Sequence, residues 1–282
     1  MRICRFDGDT GPQYGLIEDG TVFGMTGSPL QGDFERGPAA GALEAVTLLS
    51  PVVPGKVICV GRNYAAHIEE MGRAALPEPL VFYKPPSSVI GPGAPIELLP
   101  EMGRVEHEAQ LPAVIGRRGR FISEADALEH VFGYTCANDV TDRDFQNGDK
   151  QWWRAKGYDT FCPVGPWIET DLDADNVAIT CEVNGIPRQE ARTGLMLFPV
   201  RRLIAFISRA ITLEPGDLIL TGTPAGVSPL ADGDTVTVTI EGIGSLSSPV
   251  VLRDLRYNPA LIIQRGETID PYFRTASSAG TP

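Results

Sequence analysis

One stretch limits what this chain can fold into: Val105-Glu106-His107-Glu108-Ala109-Gln110-Leu111-Pro112-Ala113-Val114-Ile115-Gly116. Its second half is apolar, and Gly116-Arg117-Arg118-Gly119 turns the chain after it, so it reads as a strand. Side chains alternate faces along a strand, which puts Glu106, Glu108 and Gln110 on one side. Acidic and amide oxygens turned inward are costly unless positive charge lies nearby. Such oxygens suit a hard cation, magnesium, manganese or calcium. A third carboxylate, Asp139, closes the next apolar run, which begins at Phe132. The same row on the outside of a sheet would be an ordinary solvated face. The stretch alone leaves both readings open.

Composition narrows the class. The 31 Gly and 24 Pro among 282 residues predict many tight turns and a β-rich fold. A net charge of −12 lacks the basic footprint of nucleic-acid binders. It does not prevent binding of a small anion, because a local cation can reverse the field inside a pocket. Five Cys without CxxC spacing read as reduced core residues. No apolar run reaches membrane-spanning length and no secretory pattern opens the chain, so a cytoplasmic protein without a membrane partner is expected.

Residues 1–54 read as a small N-terminal β subdomain and linker. Arg2 to Phe6 and Gln13 to Ile17 have strand character, and Glu18-Asp19-Gly20 turns into Thr21-Val22-Phe23. The main domain is expected over 55–274, with a frayed Ser-, Ala- and Gly-rich tail at 275–282. Within it Lys56 to Val60 is a strand, and Asn63 is placed to cap a helix from Ala65 to Met71. Further expectations are a helix from Ser123 to His130, a hairpin at Asn184-Gly185 and an amphipathic helix from Pro199 to Ser208.

Several residues draw attention as chemistry. His67 and Glu70 lie three apart on one helix face, as a surface ion pair or as a general base oriented by a carboxylate. Lys84 is either a strand-end charge or a contact for an anionic substrate. Asp139 to Gln146 is a polar cluster where a strand gives way to a loop. Lys156, near Trp152, Trp153 and Phe161, is either an exposed loop charge or a desolvated stabiliser of negative charge. In Thr221-Gly222-Thr223-Pro224-Ala225-Gly226-Val227, small residues would let backbone N–H groups and the Thr223 hydroxyl approach an anion.

Taken in order, these pieces resemble the fumarylacetoacetate hydrolase superfamily, its acylpyruvate hydrolases and 2-hydroxyhepta-2,4-diene-1,7-dioate isomerases in particular. The resemblance spans roughly Lys56 to Leu252. It rests on Val60-Gly61-Arg62-Asn63-Tyr64 with His67 and Glu70, Phe82-Tyr83-Lys84-Pro85, His107-Glu108-Ala109-Gln110-Leu111, Asn138-Asp139-Val140-Thr141-Asp142-Arg143-Asp144, Lys156, Asn184-Gly185 and the Leu220 to Val227 loop. It implies a mainly β (α+β) fold, a mixed β-roll or sandwich, usually as a homodimer. It also implies one magnesium or manganese ion held by three carboxylates, two from an E-x-E strand and one Asp. By that pattern Glu108 and Asp139 are ligands, and Gln110 stands where the second glutamate would be. Ser228 is a further departure, at a place where Gly is common.

The implied roles are these. His67 and Glu70 activate water, Lys156 stabilises an oxyanion, and Thr223 holds a carboxylate. Arg62, Lys84, Arg143 and Gln146 complete the expected substrate contacts. The implied substrate is a 2-keto (or enol) acid. Hydrolysis of a C–C bond in an acylpyruvate is the first expectation, and isomerisation or decarboxylation on the same scaffold the second. Gln110 sustains a third: a member that works without metal or serves as a binding protein.

Overall fold

The computed structural model describes residues 1–253. The expected tail at 275–282 and the last part of the 55–274 domain lie outside the described residues. The chain opens with an antiparallel meander of β1 (Arg2–Gly8), β2 (Gly11–Glu18), β3 (Thr21–Ser28) and β4 (Asp33–Ala42). β4 was expected as Gly- and Pro-rich linker. Its register with β3 slips around Gly37-Pro38, between the pairs Phe23–Ala39 and Met25–Arg36. Proline has no N–H for a ladder and is tolerated on an edge strand, which β4 is.

β5 (Leu48–Leu49) pairs with β1, and β1 joins the main body by pairing with Cys162–Glu169. The large sheet then runs through Val131–Asn138, Pro112–Ile115 and Leu218–Leu220 to β6 (Val57–Gly61) and β7 (Leu80–Lys84). β6 lies parallel to Leu218–Leu220 and antiparallel to β7, so the sheet is mixed, as the expected fold class requires. A second sheet orders Ile186–Arg192, Ala178–Val183, Thr235–Ile240, Gly244–Leu252 and Ile96–Leu98. Its first hairpin turns at Asn184-Gly185, where φ is 54° and 73°. Two positive φ angles suit the right-handed twist of a two-residue hairpin, and Gly and Asn bear them at least cost.

The main core packs between these sheets. Ile58, Val60, Leu111 and Ile115 meet Ile179, Val236 and Val238 there. The helix Val200–Ala210 closes one side with Leu203, Ile204 and Ile207, each buried side chain contributing about 1.5–3 kcal/mol. Short helices occur at Ala65–Glu70, Arg143–Gly148 and Trp153–Gly157. The five cysteines are buried and unpaired, as expected.

Four local expectations are corrected. The stretch from Val105 to Gly116 is three short pieces. Val105–Glu106 pairs with Thr141–Asp142, Ala109–Gln110 with Val131–Asn138, and Pro112–Ile115 with both Val131–Asn138 and Leu218–Leu220. The helix expected from Ser123 is only a 3₁₀ turn at Ala127–His130, preceded by a turn in which Ser123 Oγ accepts from the Asp126 N–H and donates to its carboxylate. The polar run after Asp139 is not a loop. Asp142 accepts from the Asp144 and Phe145 N–H groups and caps the helix Arg143–Gly148. Asn63 caps nothing, since Tyr64 holds that position without a side-chain bond.

Asn63 is instead a buried staple. Its amide donates to the Phe198 and Thr221 carbonyls at 3.0 and 2.7 Å and accepts from the Phe198 N–H at 2.8 Å. Replacing it strands buried backbone groups at about 1–3 kcal/mol each. Asn63→Ala is therefore expected to lower the urea midpoint at unchanged slope, by a loss of about 2–4 kcal/mol. Denaturation of the two proteins side by side checks it.

Candidate active site

The site forms where β6 and its parallel neighbour Leu218–Leu220 end. β6 delivers Gly61, Arg62 and Asn63, and the neighbour delivers Thr221, Gly222 and Thr223. Gly222 has φ +98°, and a Cβ there would meet the Asn63 Cβ at 2.7 Å. Only glycine fits that turn. Its N–H donates to the Gln110 Oε1 at 2.7 Å. On the other side, the Ala109–Asn138 pairing and the Asp139 N–H to Glu108 carbonyl bond set Glu108, Gln110 and Asp139 together.

The acidic row is buried, which excludes a solvated face. Its charge is answered by cations from three other segments. Lys156 Nζ lies 2.7 Å from Glu108 Oε2 and 2.8 Å from Asp139 Oδ2. Lys84 Nζ donates to Asp139 Oδ1 at 2.7 Å and to the Val140 carbonyl at 3.2 Å. Arg143 Nε donates to Glu106 Oε2 at 2.7 Å, and its Nη1 donates to Gln146 Oε1 at 2.8 Å. Arg143 Nη2 is 2.8 Å from Glu108 Oε1 but not aligned for a hydrogen bond, so one buried donor remains unspent. Burial would raise the Glu108 carboxyl, but Lys156 and then Arg143 outweigh it and hold Glu108 well below the usual carboxylate range. Burial likewise works against the Lys84 ammonium, and Asp139 more than restores it.

Two expectations change here. Lys84 is fully buried and does not line the cavity, so it orients Asp139 and is not placed as a substrate contact. Lys156 is neither an exposed loop charge nor flanked by Trp153, which is solvent-exposed. It rides a short helix and lies 5.2 Å from the centre of the Phe82 ring.

A cavity of about 230 Å³ opens beside this cluster. Arg62, Arg73, Arg143 and Lys156 line it against the single carboxylate Glu108, together with His67, Gln146, Trp152 and Thr223. Arg62 has a positive φ of 57°, a costly conformation for a non-glycine residue and one found at functional sites. His67 Nδ1 is 3.0 Å from Glu70 Oε2, and Glu70 Oε1 accepts from the Gly226 N–H at 3.0 Å. The His67 side chain is buried, so the pair is not a surface ion pair. Of the sequence-expected residues, His67, Lys156, Arg62, Arg143, Gln146, Thr223 and Glu108 share this cavity. Gln110, Asp139 and Lys84 stand behind it, and Glu70 stands behind His67.

Sequence reading missed one support. Gln189 donates to Thr223 Oγ1 and to the Pro224 carbonyl, both at 2.7 Å, and its Oε1 lies 3.1 Å from His107 Nδ1. His107 Nε2 lies 2.9 Å from Ser228 Oγ. With Gln189 filling its acceptor side, the Thr223 hydroxyl is left to donate. Ser228 and Thr223 each drew notice in the sequence, but nothing in their spacing joins them to His107 and Gln189.

The residues present do not make a three-carboxylate metal site. Glu108 and Asp139 are suitable oxygen donors, but Gln110 turns its NH₂ toward them, at 3.4 and 3.0 Å. Its oxygen is turned away to Gly222. Among the described residues no three acidic, His or Cys side chains converge closely enough to hold an ion. Gln110, expected as a ligand, offers no oxygen toward Glu108 and Asp139 in this arrangement.

Residues 56–251 match the fumarylacetoacetate (FAA) hydrolase C-terminal family, and residues 1–51 match the Rv2993c-like N-terminal family. A 5-carboxymethyl-2-hydroxymuconate delta-isomerase structure from Mycobacterium smegmatis superimposes with a TM-score of 0.84 at 46% identity, covering 90% of this chain and 100% of that one. A mitochondrial oxaloacetate tautomerase of Xenopus laevis is 44% identical over 220 residues, 73% of this chain and 69% of its own. A maleylpyruvate hydrolase from Sphingobium sp. SYK-6, solved with manganese(II) and pyruvate, has a TM-score of 0.74 at 31% identity, covering 90% and 100%. The chain is an enzyme of a family that holds both isomerases and hydrolases. It belongs to the fumarylacetoacetate hydrolase family.

The relay behind Thr223 makes a pH prediction. Burial lowers the His107 pKa from 6.5, so the folded chain favours the neutral ring. As pH falls below 6.5 the unfolded chain binds a proton that the folded one refuses, and stability is lost until the lower folded pKa is passed. Urea unfolding between about pH 7 and about pH 5 is expected to show this loss, and His107→Gln to flatten it.

Proposed function

We propose that this enzyme moves a proton on a short, anionic 2-oxo acid, interconverting its enol and keto forms. The observation that carries the reading is that His67, held by Glu70, lines one small cavity together with Lys156 and Arg143. Its volume suits a molecule of a few carbons. Beyond the ion-paired Arg143 and Lys156, the lining adds Arg62 and Arg73, which favour a substrate charged at both ends, such as a dicarboxylate.

The chemistry follows from what each group can do. His67 Nδ1–H donates to Glu70, which fixes the tautomer and leaves the Nε2 lone pair to exchange a proton with the substrate's C3. Glu70 is itself held by the Gly226 N–H, so the imidazole does not swing freely. Negative charge on the enolate oxygen is met by the Lys156 ammonium, fixed in place by two carboxylates, and that oxygen exchanges its own proton with solvent to complete the enol. The free Arg143 N–H and the Thr223 hydroxyl supply donors for a carboxylate. Arg62 and Gln146 stand at the cavity for the substrate's far end. The isomerase and tautomerase relatives, at 46% and 44% identity, support this reading.

A second reading, hydrolysis of an acylpyruvate C–C bond, is favoured by the same dyad, since a carboxylate-oriented imidazole can activate water. It passes through the same enolate oxygen. The 31%-identical maleylpyruvate hydrolase supports it.

A panel of enol-oxaloacetate, hydroxymuconate-type dienols and acylpyruvates, followed by ultraviolet absorbance, separates the two. The expected result is rapid loss of an enol band, with slower or no cleavage of acylpyruvates. His67→Ala should lower turnover by about 10²- to 10⁴-fold while the chain still folds, as circular dichroism would show. Parental turnover by that variant, or no turnover of any member of the panel by the parent, would sink the reading.

A further inference from the structure

We propose that the Lys156 ammonium, and no divalent ion, is the resident counter-charge of Glu108 and Asp139 in this chain. The inference deepens the reading of this cavity as a 2-oxo acid site and rests on it for its chemical meaning.

Residue 110 decides which oxygens can face a cation. A glutamate there could accept the Gly222 N–H with one oxygen and offer the other to a cation. A glutamine has one oxygen. Gly222 takes it at 2.7 Å, in a turn that φ +98° makes rigidly a glycine's. Rotating the amide to offer that oxygen inward would set its NH₂ against the Gly222 N–H, two donors facing each other in a buried place. Gln110 therefore points donors at Asp139 and Glu108, the two carboxylates a metal would share.

Lys156 fills the place this leaves. Its Nζ bridges one oxygen of each carboxylate, at 2.7 and 2.8 Å. The charges close as well. Glu106, Glu108 and Asp139 are matched by Lys84, Arg143 and Lys156, all six almost without solvent, and the exposed Arg104 adds a further contact to Glu106 at 3.3 Å. Adding a dication would leave two uncompensated positive charges in a dry cluster, where the desolvation cost is largest. A carboxylate at 110 would restore both the missing ligand oxygen and part of the missing charge. The consequence for function is that the substrate's keto and carboxylate oxygens meet N–H donors of Lys156 and Arg143.

Manganese binding by calorimetry and electron paramagnetic resonance tests this without reference to turnover. Three proteins are compared: parent, Gln110→Glu and Lys156→Met. Altering even an outer partner of a metal site commonly changes affinity by about 10–100-fold. Gln110→Glu is expected to bind Mn²⁺ more tightly than the parent by at least about that much, and Lys156→Met to bind it more tightly too. The parent should show no stoichiometric Mn²⁺ and keep its turnover after dialysis against a chelator. A parent that binds one Mn²⁺ per chain within about tenfold of the Gln110→Glu affinity overturns the proposal. If either variant fails to fold, the parent decides alone, and one Mn²⁺ retained per chain after dialysis overturns the proposal. A parent inert toward every 2-oxo acid would remove the functional reading and leave the Mn²⁺ comparison standing.

Discussion

The bridge from Lys156 to Glu108 and Asp139 is the contact on which the rest of the structure depends. Three carboxylates and three cations are withdrawn from water together, a costly arrangement unless every partner is in place. Each partner arrives from a different segment: Lys84 from β7, Asp139 from the end of Val131–Asn138, Arg143 and Lys156 from two short helices. Loss of any one would leave a buried charge unanswered. A cluster of this kind is weak as a source of stability and strong as a way to fix geometry.

The sheets serve that geometry. The parallel pair of β6 and Leu218–Leu220 ends with Arg62 and Thr223 on either side of the cavity. The acidic stretch crosses from one sheet partner to another between Glu106 and Ala109. That change of partner lets Glu106 reach Arg143 while Glu108 and Gln110 turn to Asp139. The site therefore holds a supporting carboxylate at 106 and an amide at 110, and Arg143 is pinned between two acids with one N–H unspent.

Much of this was legible from local pattern. Turn residues announced a β-rich chain, and the hairpin at Asn184-Gly185 and the helix near Pro199 follow from backbone preference and period. His67 and Glu70 were readable because a helix brings residues three apart onto one face. What escaped was non-local. Lys84 looked like a strand-end charge because its partner, Asp139, is 55 residues away. The break in the acidic strand is set by which neighbours pair with it, and propensity does not encode that. The relay from Ser228 through His107 and Gln189 to Thr223 joins three segments with no shared spacing. β4 escaped because Gly37-Pro38 argues against a strand unless the strand is known to be an edge.

The proposed function requires this buried cluster, through its N–H donors, to receive the oxygens of a 2-oxo acid. A crystal structure of the chelator-treated parent with oxalate, a planar mimic of the enolate, tests it most directly. The account predicts oxalate in the cavity, with one end at Lys156 Nζ and another at Arg143 Nη2, and with Gln110 Oε1 still on the Gly222 N–H. Oxalate bound elsewhere, or Gln110 Oε1 turned inward onto a metal ion shared with Glu108 and Asp139, would contradict it.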